Sequence, residues 1–127
     1  MEVIPMAERP NKVREILDEL DSKVPAIEAL AVVSVEGLPI ESKLPQEIDE
    51  TRVAAMTAAI ISLGERAAME LNKGILEHIL VRGTNGILLV MYCGENAVLT
   101  VSTTVDVKLG LIMLDCKRSA QKIALLI

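Results

Sequence analysis

The stretch from Asp49 to Asn72 reads as one long helix, and whatever fold the chain adopts has to cover it. Alanine recurs through it, the residue that costs least to place in a helix. Asp49 suits the N-cap and Glu50 the positive end of the helix dipole, while Gly74 lies where a helix stops. Val53, Met56, Ile60, Leu63, Ala67 and Leu71 recur at spacings of three and four, an apolar stripe expected to pack on a sheet. Ala54, Ala58, Ile61 and Ala68, with Met69 nearby, form a second apolar side. A helix apolar on two sides is covered on two sides, and small residues let another helix come close. In a short chain the second cover is expected to be another copy of the chain. The alternative is a helix buried wholly within one domain.

The length of 127 residues suits one domain, and 51% hydrophobic with 24% charged residues supports a packed core. Tyr92 is the one aromatic residue, so the core is expected to be aliphatic, and bases have little to stack on. A net charge of −5 argues against a nucleic-acid backbone or an anionic membrane as partner. The apolar runs fall short of a membrane span, and the first residues lack the basic start of a signal peptide. Cys93 and Cys116 make neither a disulfide framework nor a metal set, which points to a reducing, cytoplasmic setting.

In chain order, residues 1–7 read as a loose tail ahead of a single domain at 8–127. A first helix is expected around 10–22, with Val13, Ile16, Leu17 and Leu20 as its apolar stripe. Residues 29–36, nearly all apolar and rich in valine, suit an inner strand. A turn at Glu36-Gly37 leads into a short strand at 38–43, where Pro39 marks a sheet edge. After the long helix, strands are expected at 75–82, 87–92 and 97–101, with Asn85-Gly86 as a hairpin turn. A last helix is expected from about 106, capped by Asp106, with Leu109, Ile112, Met113, Cys116, Ala120, Ile123 and Ile127 as its stripe. The class is α+β, an antiparallel sheet with helices on both faces.

No catalytic constellation stands out. His78 is the one histidine, set in a strand without a framing motif. Cys93 has no basic neighbour in sequence, and Cys116 lies on an apolar stripe. Gly83-Thr-Asn-Gly86 joins two strands rather than opening a helix, so it reads as a hairpin and not as a phosphate loop. Glu47, Asp49 and Glu50 are explained by a loop and a cap. No catalytic, cofactor-binding or metal-binding residue is therefore assigned. Arg52 and Arg66 lie beside the second apolar side, either as anchors of an interface or as ordinary helix-surface charges.

Three stretches together resemble one family. They are Ala31-Val-Val-Ser-Val-Glu-Gly-Leu-Pro-Ile40, then Asp49 to Met56 continuing to Ser62-Leu-Gly-Glu-Arg-Ala-Ala68, then Lys108 to Leu114 running on to Ala120. In this order they resemble the roadblock, or dynein light-chain 7, family, and in particular its single-domain bacterial and archaeal members. The resemblance implies a five-stranded antiparallel sheet with the central helix on one face and the first and last helices on the other. It implies pairing of two chains through the central helix and the third strand. It also implies a platform or regulator for a Ras-like small GTPase, in some cases one that speeds the partner's GTP hydrolysis, without enzymatic chemistry of its own. On that footing Ala54, Ala58, Ile61 and Met69 are expected at a dimer interface, and Arg52, Glu65 and Arg66 at its rim or on a partner surface. The alternative is a structural adaptor in a larger motor or signalling assembly that ignores nucleotide.

Overall fold

The computed structural model of the chain describes residues 8–127, so the tail expected at 1–7 lies outside the described residues. The elements are α1 (Arg9–Lys23), β1 (Ile27–Ser34), β2 (Pro39–Lys43), α2 (Glu50–Glu70), β3 (His78–Gly83), β4 (Gly86–Cys93), β5 (Ala97–Thr103) and α3 (Leu109–Ala124). The strands form one five-stranded sheet in the order β2-β1-β5-β4-β3, with every neighbouring pair antiparallel. The expected α+β class, element order and division of helices between the two faces all hold.

Strand alternation builds two cores of different depth. Leu30, Val32, Leu89, Met91, Leu99 and Val101 face α1 and α3 and are joined there by Leu17, Leu20, Ile112 and Ile123. The opposite side of the same strands presents Ala31, Val33, Val90 and Val98 to α2. Leucines on one side and mostly smaller residues on the other make the α2 core the thinner one. A helix over a thin core must itself be small where it touches. Ala54, Thr57 and Ile61 are the buried residues of α2, and Gly64 sits so close to Ile79 that a methyl group there would collide with its Cδ1.

One expectation holds only in part. Of the stripe Val53, Met56, Ile60, Leu63, Ala67 and Leu71 expected on the sheet, Val53 and Ile60 pack against the core, whereas Met56, Leu63 and Leu71 are 52%, 66% and 68% exposed. The second side, with Ala54 at 0% and Ile61 at 2%, packs most deeply on the strands. Closeness, rather than bulk, selects the face here: small residues fill a shallow interface without a void.

Boundaries also move, beginning with β1, which spans Ile27–Ser34 rather than 29–36. The third strand begins at His78 rather than at 75, because Asn72 (φ 56°) and Gly74 (φ 83°) swing the chain clear of the sheet. Ile75 is left 94% exposed. The last helix is capped by Lys108 and not by Asp106. Val107 packs against the core first, and the chain turns into the helix only after it.

Candidate interaction surface

The sheet has two edges, and they differ. At β2, Pro39 removes one donor, and α1 lies alongside. The Arg14 guanidinium donates to Glu41 at 2.9 Å and to the Ser42 carbonyl at 3.1 Å. Lys43 bridges Asp18 at 2.8 Å and Asp21 at 3.1 Å, and its hydrogen bond holds the Asp18 carboxyl below the usual range. The Ser42 hydroxyl donates to Glu50 at the start of α2. Charges, a proline and a covering helix are the devices that keep an edge strand from pairing further.

The β3 edge has neither a proline nor a helix lying alongside it, and Arg82 is its one charge; Leu80 and Val81 are 36% and 45% exposed. Thr84-Asn85 is a two-residue turn closed by the Gly83–Gly86 pair, so hydrogen bonding to β4 alternates from there. Val81 and Ile79 bond inward, and the backbone N–H and C=O groups of His78, Leu80 and Arg82 point outward. A short row of strand donors and acceptors is therefore left open beside apolar side chains.

The outer face of α2 continues this surface. Met56, Leu63, Met69 and Leu71 are exposed, and the exposed Ala55, Ala59 and Ala67 fall among them on the helix. Monomeric surfaces carry isolated apolar residues; a row of them along one helix makes this face the candidate interaction surface.

The expected interface residues divide accordingly. Met69 lies on the outer surface. Ala54 and Ile61 do not; they are packed on the sheet within one chain, and half-buried Ala58 sits over the Gly37 turn. Ala54 and Ile61 are corrected from the interface to the core, because the thin side of the sheet demands small residues, while Ala58 stays at the margin of that contact. Ile61→Ala is therefore expected to remove about 2–4 kcal/mol of stability, read as a lower urea midpoint. An unchanged midpoint would return Ile61 to the surface.

Arg52 is exposed at the start of α2. Arg66 pairs with Glu70 at 3.6 Å on a fully hydrated stretch, a contact worth little by itself. Glu65 is occupied, since it accepts from the Tyr92 hydroxyl at 2.6 Å. Burial, with help from Glu65, pushes that phenol up to about 12. The three expected partner residues thus border the α2 surface without forming one cluster.

The residues that sequence reasoning missed at this surface are Leu80, Val81 and Ile75. Val81 and Leu80 read as ordinary strand residues until the strand order puts β3 at the edge.

Neither cysteine lies at this surface. Cys93 and Cys116 are buried, and burial pushes both thiols up to about 12. Among the described residues no group of three or more His, Cys, Asp and Glu could hold a metal ion. No helix among them is long and apolar enough to cross a membrane. The buried thiols give a pH signature. Their folded pKa values lie above the ordinary thiol value of 9.0, so their contribution is complete below pH 9 and is lost as pH rises toward 12. The urea midpoint is expected to fall on that alkaline side, and a Cys93→Ala, Cys116→Ala double variant to show a smaller fall. An equal fall in the double variant would assign it to other groups.

The family model described as the Roadblock/LC7 domain matches residues 12–103. The uncharacterized protein MJ1340 of Methanocaldococcus jannaschii is 40% identical over 108 residues, which span 85% of this chain and 93% of that protein. Among solved structures, one of MglB in a tetrameric arrangement superposes with a TM-score of 0.86 at 20% identity, covering 98% of this chain and 93% of that one. Myxococcus xanthus MglB superposes with a TM-score of 0.82 at 24% identity, covering 89% and 92%. At these identities the structural likeness shows the fold.

Proposed function

Since this chain belongs to the Roadblock/LC7 domain family, we propose that it works as a pair of identical copies that binds a Ras-like small GTPase and regulates it. The observation that carries the pairing is the contrast between the two sheet edges. β2 is closed by α1, Pro39, Arg14 and Lys43, while β3 is open and continuous with the exposed apolar face of α2. Antiparallel pairing of two β3 strands satisfies the outward groups of His78, Leu80 and Arg82 and joins two sheets into one. Met69 and Leu71 then lie against the second chain. The most symmetric register places Leu80 opposite Leu80 on the two-fold axis, with His78 opposite the other chain's Arg82.

The GTPase reading rests on the family and on the absence of a reaction centre among the described residues. The pair acts on its partner by contact, in the cytoplasm, and stimulates hydrolysis, if it does, by ordering the partner's switch loops or by adding positive charge near its phosphates. Arg52 and Arg66 are the charges on the α2 surface available for this. The test is capture of partners from native lysate with GTP analogue or GDP added, read by mass spectrometry. A small GTPase enriched with the analogue supports regulation. A partner set that ignores nucleotide contradicts it and favours the structural adaptor, because a platform with equal affinity for both states selects neither.

A further inference from the structure

We propose that the face of the paired sheet opposite the α2 helices seats one acidic amphipathic helix of a partner protein, lying between the two α3 helices. This rests on the β3 pairing. Within one chain α3 lies over β4 and β5 and leaves β3 bare on that face. The result is a groove of about 540 Å³, lined among others by Glu77, His78, Met91, Met113, Leu114 and Lys117. Side-chain alternation puts Leu80 and Arg82 on the same face, since Leu80 pairs with Leu89 of the α1–α3 core.

Pairing through β3 sets two such grooves side by side. With α3 over the β4–β5 boundary in each chain, the two α3 axes lie about four strand spacings apart, roughly 19 Å. Packed helices sit about 8–10 Å apart. The trough is therefore one helix wide, with each wall at packing distance from a helix along its centre. In the single chain Leu80 and Leu114 are 36% and 45% exposed on this face.

The lining states the occupant's chemistry. Leu80, Met91, Met113 and Leu114 are apolar. Lys117 in the groove and Arg82 on the adjoining face of β3 make no ion pair among the described residues, and Glu77 is the one acid lining the groove. The two-fold axis doubles this to an apolar floor flanked by an excess of cations, in a chain whose net charge is −5. A helix with an apolar face and glutamate or aspartate on its flanks complements it. Because the axis runs through the trough, one helix occupies it and excludes a second, so the stoichiometry is one helix to two chains.

The probe is a labelled synthetic amphipathic helix of leucine, alanine and glutamate, with a second peptide carrying lysine in place of glutamate. Anisotropy titrations are run beside light scattering on the full chain. The expected result is saturation by the glutamate peptide at one per two chains, no comparable binding of the lysine peptide, and about a tenfold or greater loss in Lys117→Glu and in Leu114→Glu at unchanged mass. Saturation at one per chain, equal binding of the lysine peptide, absence of binding to an intact pair, or unaltered affinity of both variants overturns the proposal. A wild-type chain that scatters as a single copy instead shows that the pairing itself has failed.

Discussion

Gly86→Ala is expected to cost the fold about 3 kcal/mol or more, combining a strained backbone with a collision that has no easy relief. Gly86 closes the β3–β4 hairpin at φ +152° and lies against β5, where a methyl group would run into the Thr103 carbonyl oxygen. Backbone on both sides leaves nothing flexible to yield. The neighbouring pair shows the contrast: a methyl group on Gly83 meets only the Gly86 oxygen at 3.7 Å, an ordinary contact. Thermal unfolding is expected to fall by roughly 10 °C in Gly86→Ala and to change little in Gly83→Ala. Equal behaviour of the two variants would mean that the hairpin adapts. A severe effect is also expected to reach the proposed interface, since this turn fixes the outer strand of the sheet.

The same hairpin shows what a sequence carries and what it withholds. Asn85-Gly86 is a local signal, and it placed the turn between β3 and β4 correctly. The valine-rich run at β1 and Pro39 at β2 were equally legible, as an inner strand and an edge. The second edge was not, because edge status is a property of strand order. β3 becomes an edge when β5 inserts between β1 and β4, and no residue of β3 announces that. The side on which α2 faces the sheet was illegible for a different reason. Both sides are apolar, and the deciding features are Thr57, a polar residue that is 2% exposed, and Gly64 pressed against Ile79. Hydrophobic periodicity gives neither of them weight, so the bulkier stripe was placed on the sheet and the smaller one outside. The family resemblance implies an interface on α2 and the third strand, but it does not say which α2 residues point outward. Of the residues named for that interface Met69 alone lies on the outer face.

Leu80→Lys is expected to separate the pair without unfolding either chain. Leu80 is 36% exposed in the single chain and belongs to neither core cluster, so a lysine there can lay its stem on the strand and reach water with its ammonium group. Across the proposed two-fold axis the two lysines stand opposite each other at about 5.5 Å between Cα atoms, a direct like-charge pair. Inward or edge lysines are also the commonest device by which natural sheets refuse further strands. The expected signature is an unchanged far-ultraviolet spectrum and urea midpoint at low concentration, with the mass reduced by half. Loss of secondary structure along with the mass would mean that the lone chain is not stable, and Leu80→Thr, milder and still β-compatible, then serves as the second variant.

The most direct measurement is the solution mass of the purified wild-type chain beside Leu80→Lys, by light scattering over a dilution series. The predicted result is a wild type at twice 13.7 kDa and a variant at 13.7 kDa, both folded. A wild type that scatters as a single chain at every concentration, or a Leu80→Lys variant that keeps the doubled mass, would contradict pairing through the open β3 edge.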